Sequence, residues 1–69
     1  ISSGGFVGIG GSPATSGLLD LQSTTGALII PRMTTAQKNA LTAVNGMVVY
    51  DTSLAKFQGY EAGVWTNLI

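Results

Sequence analysis

The sequence lacks the residues with which many small proteins stabilise themselves by means other than packing. None of its 69 residues is Cys or His. Disulfides are therefore excluded, and a structural metal site would lack its usual thiolate and imidazole ligands. A chain of this size buries only about 60% of the surface that its unfolded form exposes. Self-association then remains as the route to stability.

Charge is also scarce. Charged residues make up 9% of the sequence, the formal net charge is zero and the mean hydropathy is +0.39, whereas soluble domains average roughly 25% charged residues. The cations Arg32, Lys38 and Lys56 are scattered along the chain, so the basic patch that binds nucleic acid is missing. The apolar excess has to be covered, and we predict burial between copies of the chain.

Long apolar runs are absent as well. Gly, Ser and Thr interrupt every run before it reaches the ~18 residues of a membrane span, so we predict no membrane insertion. The sequence begins at Ile1 without a charged and apolar leader segment. We expect it to be a fragment of a longer polypeptide.

Candidate catalytic groups are few. Without His, only Lys38 and Lys56 could activate a Ser or Thr nucleophile; they lack the motif spacing for that role, and we expect both to be solvated. Asp20, Asp51 and Glu61 lie in separate turns or strand ends, so the pattern predicts no carboxylate pair. We expect no enzyme and no cofactor. Copies of Asp20 or Asp51 converging on an axis and holding Ca²⁺ remain an open alternative.

Residues 1–25 are rich in Gly and Ser, which is typical of a linker. Phe6 and Ile9 nevertheless provide apolar side chains that a linker does not need. Leu19 and Leu21 flank a polar residue with period two, which predicts a short strand. We interpret this region as a glycine-rich fibre segment in which several chains approach closely.

Residues 26–69 are predicted to form a small β-α-β-meander. The run 27–30 is a strand candidate that ends at a proline. Thr34 and Gln37 have the spacing of a capping box, which predicts the start of a short helix that ends near Gly46.

After the helix, apolar and aromatic residues indicate strands at 47–50, 56–60 and 64–68, and the last two strands form a hairpin. Most of the aromatic residues fall in this hairpin, and we expect the core there. They are Phe57, Tyr60 and Trp65. The predicted fold class is mainly β with one short α-helix.

Two blocks of the sequence resemble a known family. VGIG at 7–10, followed by Ser-Pro and LDL, is similar to the repeated "VGIG–SP–LDV" unit of phage tail fibres and related bacterial surface fibres. LIIPRMTTAQ at 28–37, followed by NGMVVYDT at 45–52, resembles the segment that accompanies this unit. With Val64-Trp65, which resembles the end of that segment, the resemblance extends over nearly the whole chain.

The resemblance implies an intertwined parallel homotrimer that forms a shaft or neck of a tail fibre or spike on the virion, outside the cell. Its function would be structural, in host attachment and adhesion, with other parts of the fibre polypeptide as partners. The alternative is a glycan-binding tip, whose contacts with a host surface sugar would come from Tyr60, Trp65, Gln58 and Asn67.

Apolar residues of both segments are predicted to form the trimer core. They are Phe6, Ile9, Leu19, Leu21, Leu28, Ile30, Met47 and Val49. Arg32 lies beside an apolar strand, where a guanidinium is best used on a carboxylate. We predict an interchain salt bridge from Arg32 to Asp20 or Asp51, which would fix the register of the chains.

Overall fold

The computed structural model describes residues 5–69, which are mainly β with one short helix, as the sequence predicts. In chain order the elements are β1 Val7–Ile9, β2 Leu19–Leu21, β3 Arg32–Met33, α1 Thr35–Asn39, β4 Val48–Asp51, β5 Lys56–Glu61 and β6 Val64–Asn67. Residues 1–4 of the glycine-rich segment lie outside the described residues, and the predicted division into segments 1–25 and 26–69 stays a prediction. None of the helices in the described part is long and apolar enough to cross a membrane.

β1 and β2 form a two-stranded parallel sheet, in which Val7 lies beside Leu19 and Ile9 beside Leu21. Val7 N–H donates to the Leu18 carbonyl at 2.6 Å, which begins the pairing. The strand predicted from the spacing of Leu19 and Leu21 is therefore confirmed.

The second sheet has the order β3-β4-β5-β6, with β3 parallel to β4 and the other pairs antiparallel. The predicted hairpin is present as β5 and β6. Its turn consists of Ala62 and Gly63, whose φ angles of 51° and 79° are those of a left-handed two-residue turn that matches the twist of the strands.

The predicted capping box is confirmed at the start of α1. Gln37 N–H donates to Thr34 Oγ1 at 3.2 Å, and Thr34 N–H donates to Gln37 Oε1 at 2.9 Å. The helix ends at Asn39, so the predicted end near Gly46 was wrong. Gly46 N–H instead donates to the Tyr60 carbonyl at 2.8 Å, because the chain has already turned to enter the sheet.

The prediction of a strand at 27–30 was also wrong, because strand pairing begins only after the proline, in β3. Pro31 has no N–H and joins the sheet through its carbonyl, which accepts from Tyr50 N–H at 2.9 Å. Leu28 and Ile29 have no partner strand and remain exposed.

The core of the single chain is small. Within residues 5–69, Val49 has the only buried hydrophobic side chain, whereas Lys38, Asp51 and Gln58 are buried polar residues. The expectation of an aromatic core containing Phe57 was wrong, because Phe57 is 43% exposed.

Candidate oligomer interface

The four-stranded sheet has two faces of opposite character. Side chains alternate along a strand, so the pairing of Val49 with Gln58 and of Tyr50 with Phe57 places these two pairs on opposite faces. Val49 and Gln58 are buried, on the side that carries Asp51 and α1. We call the side of Tyr50 and Phe57 the outer face.

Beneath α1, the sheet carries a polar network. Lys38 Nζ lies 2.9 Å from Asp51 Oδ2, with the two side chains 5% and 0% exposed, and Lys38 also donates to Gln58 Oε1. Thr35 Oγ1 donates to Asp51 Oδ2 at 2.7 Å, and Gln58 Nε2 donates to Asn67 Oδ1 at 2.8 Å. The expectation of a solvated Lys38 was wrong, because β4 brings a carboxylate under the helix.

Two aromatic side chains, Trp65 and Tyr60, lie at the edge of this network and contact Lys38 through the Trp65 ring. Lys38 Nζ lies 5.6 Å from the centre of the Trp65 ring, within the range of a cation–π contact. Trp65 in turn meets Tyr60 edge-on, with ring centres 5.1 Å apart. Within residues 5–69, no buried side-chain nitrogen or oxygen lacks a hydrogen-bond partner, so the network is a complete structural unit.

The network fixes the ionisation of Asp51. Burial by itself raises the pKa of this carboxyl, but hydrogen bonds from Lys38, Thr35 and the Leu54 N–H, together with the charge of Lys38, outweigh burial. They lower the pKa of Asp51 from 3.8 to about 2. Asp51 is therefore an anion at neutral pH, paired with a cation of its own chain.

The outer face, by contrast, is apolar and uncovered in the single chain. Tyr50 and Phe57 meet edge-on with ring centres 4.9 Å apart. Val48 is 43% exposed, and Leu68 lies on the same side, within 3.0 Å of where a Cβ on Gly59 would stand. An open apolar face on so small a chain is typical of a protein–protein contact.

A groove runs along the edge of the outer face. It has a volume of about 230 Å³, below the roughly 300–1,000 Å³ of small-molecule sites, so it suits side chains of another protein chain better than a ligand. Its lining is aliphatic and aromatic apart from one guanidinium. The lining residues are Leu28, Ile29, Ile30, Arg32, Tyr50 and Phe57.

Comparison with protein families identifies this type of chain. The family model described as phage tail like trimerisation region matches residues 8–69. The chain belongs to this family. The match confirms the resemblance to phage tail fibres and supports self-association as a trimer. No curated protein and no solved structure matches the chain.

One of the predicted trimer-core residues packs within its own chain, and the place of the others in a trimer core stays a prediction. Val49 is buried in its own chain, because its position in β4 faces α1. The other predicted residues are exposed or half-buried in the single chain: Phe6, Ile9, Leu19, Leu21, Leu28, Ile30 and Met47.

The predicted salt-bridge residues lie apart in the single chain. Arg32 is exposed beside Tyr50, and within residues 5–69 it forms no ion pair. Asp51 is already occupied by Lys38, whereas half-buried Asp20 accepts from the Ala14 N–H at 2.8 Å. Asp20 is therefore the more accessible acid for a neighbouring Arg32, and the interchain salt bridge stays a prediction.

The residues considered for glycan contact are largely engaged within the trimerisation region itself. Gln58 is buried between Lys38 and Asn67, and Trp65 packs against Lys38 and Tyr60. Asn67 is exposed but accepts from Gln58. In the described part of the chain, no group of three or more His, Cys, Asp or Glu residues could hold a metal ion.

Sequence reasoning missed the residues that form the outer face. Tyr50 and Phe57 were read as members of two separate strands, and only the register of β4 against β5 shows that they are neighbours. The period-two pattern of each strand was a usable signal, because it puts Val48 and Tyr50 on one side. It does not show which side the helix covers.

Proposed function

We propose that this chain is a structural module that holds three copies of a phage-type tail fibre or spike together through the outer face. The observation that carries this proposal is how the side chains are divided between the two faces of the sheet: polar residues are buried on one face, and apolar residues are exposed on the other. Lys38 and Asp51 are buried beneath α1, while Val48 and Phe57 are exposed on the opposite side. Membership of a trimerisation family supports other copies of the chain as the partner of the uncovered side.

The energy of such a contact is substantial for a chain of this size. Full burial of one aliphatic or aromatic side chain contributes about 1.5–3 kcal/mol relative to its exposure. Each copy offers several such side chains on the outer face and in the groove: Leu28, Ile29, Val48, Phe57, Val64 and Leu68. Burial of these residues between copies would add a second core to the small core of each chain.

Three copies would close by rotation about a common axis. A threefold ring uses two different patches of each copy, so the outer face of one chain meets another surface of the next. The groove beside Arg32 would receive apolar side chains of that neighbour. An intertwined parallel arrangement couples folding to association, which stabilises the assembly at any concentration well above its dissociation constant.

The module would act mechanically in host attachment. A trimeric shaft or neck on the outside of the virion holds the fibre chains in register and presents adhesive parts elsewhere in the polypeptide. The description of the family as phage tail like supports this location. We propose no catalytic role. The glycan-binding alternative gains no support from Gln58 and Trp65, whose contacts lie within the chain.

The test compares two charge substitutions by sedimentation velocity. Phe57→Asp places a carboxylate among the apolar side chains of the outer face, where contact with the next copy would strip it of water, and we expect it to shift the protein from trimer to monomer. Thr42→Asp is the matched control at an exposed position outside the strands, and it should leave the trimer intact. A Phe57→Asp protein that sediments as the parent trimer would overturn the assignment of the outer face.

A further inference from the structure

We infer that the β1–β2 pair packs its apolar face against the same pair of two other copies, forming a second contact along the trimer axis. This contact is separate from the outer face of the four-stranded sheet. It rests on the proposed trimer and names a further surface that takes part in it. The partner is a second copy of this chain.

One face of the strand pair is built entirely of apolar side chains. In the parallel register, Val7 lies beside Leu19 and Ile9 beside Leu21, so these residues share one face. Ile9 is 58% exposed and Leu19 57%. Four aliphatic side chains thus stand together on one face, which is exposed at Ile9, Leu19 and Leu21 and half-buried at Val7.

The other face is already closed by the loop that connects the two strands. A Cβ on Gly8 would lie 2.5 Å from the Gly11 carbonyl oxygen and 2.6 Å from Pro13 Cδ, so the loop packs directly on the strand. Asp20, beside Gly8 in the register, accepts from the Ala14 N–H at 2.8 Å. The pair therefore has one completed face and one open face.

A pair of this kind is not stable in isolation. Two-stranded sheets are marginal in water, and parallel sheets are as a rule covered on both faces. Within residues 5–69 each of the two strands has a single neighbour, so each also has an unpaired edge. The described residues do not supply the missing cover.

Other copies of the chain fit this open face in composition and in direction. Asp20 is the only charged residue in the first 31, and it lies on the side opposite the open face, so a charged partner would find no complement on the open face itself. The family match begins at residue 8 and includes β2 and most of β1, so both belong to the trimerisation region. In a parallel trimer, three such pairs would run in the same direction about one axis.

The test uses single cysteines, because these 69 residues contain none. Leu19→Cys places a thiol on the open face, and Thr15→Cys is the control in the loop that covers the opposite face. Each protein is first confirmed as a trimer by sedimentation and then treated with a short thiol–thiol crosslinker. We expect covalent dimers of the Leu19→Cys chain on a denaturing gel, and none of the Thr15→Cys chain or the unsubstituted protein.

The outcomes separate this inference from the proposed function. A Leu19→Cys trimer that does not crosslink overturns the axial contact and leaves the trimer standing, whereas an unsubstituted protein that never forms trimers removes the basis of both. Ile9→Cys lies on the same face and is the second variant, should Leu19→Cys fail to assemble. It has to crosslink in the same way, and failure of Ile9→Cys in an assembled trimer counts equally against the inference.

Discussion

Lys38 is the residue whose role differs most from what the sequence predicts. Its side chain lies beneath α1, where it donates to Asp51 and Gln58 and touches the Trp65 ring. A buried ion pair is not by itself a strong source of stability, but removing one partner leaves an uncompensated charge in the interior. The network is therefore essential to the single chain even though it lies away from the open apolar surfaces.

Loss of the Lys38 ammonium is expected to destabilise the protein strongly. Lys38→Met leaves the Asp51 carboxylate buried without its cation, and we expect the melting temperature to fall by at least ~8 °C. Lys56→Met is the matched control, because Lys56 is exposed and its ammonium donates to the Ile69 carbonyl at 3.3 Å. Thermal unfolding followed by circular dichroism measures both variants. Equal melting temperatures for the two would contradict the structural role of the network.

The lowered pKa of Asp51 predicts how stability depends on pH. Because the folded state holds this carboxyl ionised, its contribution is complete above the ordinary value of 3.8 and is lost as the pH falls toward about 2. The melting temperature of the unsubstituted protein should decline in this interval, and that of Asp51→Asn should decline less. A series of melting curves at decreasing pH measures the difference. Parallel pH profiles of the two proteins would contradict the prediction.

The polar network beneath α1 could not be predicted from the sequence. The three-residue spacing of Thr34 and Gln37 is a local pattern and predicts its own hydrogen bonds. The contact of Lys38 with Asp51, by contrast, joins residues 13 positions apart and depends on where β4 passes under the helix. Lysines are rarely buried, so the solvated position was the natural expectation for Lys38.

The stability of α1 depends on its first turn. A helix of five residues has few internal hydrogen bonds, so the two bonds of the capping box carry much of its local stability. Thr34→Ala removes one acceptor, and we expect it to lower the free energy of unfolding by about 0.5–2 kcal/mol. Thr42→Ala, exposed and outside the helix, is the control. Denaturant unfolding distinguishes the two, and an equal loss in both would show that the cap contributes nothing.

The start of α1 and the hairpin were predictable from local chemistry, whereas the predicted end of α1 and the strand predicted at 27–30 were wrong. The hairpin of β5 and β6 follows from its turn and its aromatic strands. The strand expected at 27–30 did not form, because the parallel partner β4 meets the chain only from the Pro31 carbonyl onward. A continuous apolar run indicates burial without telling whether a strand or another chain provides it. Here the run lines a groove instead.

In the whole molecule, Arg32 connects the groove to the predicted register of the trimer. Asp20 of a neighbouring chain is the partner that the intrachain contacts leave more accessible. We expect Arg32→Met to lower the melting temperature of the trimer, and a double-mutant cycle with Asp20→Asn to give a coupling energy of at least about 0.5 kcal/mol. Lys56→Met again serves as control. If the changes in free energy caused by the two substitutions were strictly additive, the interchain salt bridge between Arg32 and Asp20 would be excluded.

The fold class and the family were predictable for the whole chain, since the composition calls for partners and the sequence blocks resemble fibre segments. The surfaces that meet those partners were not, because only the strand register shows which side of each sheet is covered. Two apolar faces remain open in the single chain, one on the four-stranded sheet and one on the β1–β2 pair. A threefold assembly would cover both.

Native mass spectrometry over a dilution series tests the trimer most directly. The assembly is predicted to have three times the mass of one chain, and dilution should convert it to monomers with simultaneous loss of structure in circular dichroism. Phe57→Asp should move this transition to higher protein concentration. A folded monomer that persists at every concentration, with its outer face exposed to water, would contradict the account.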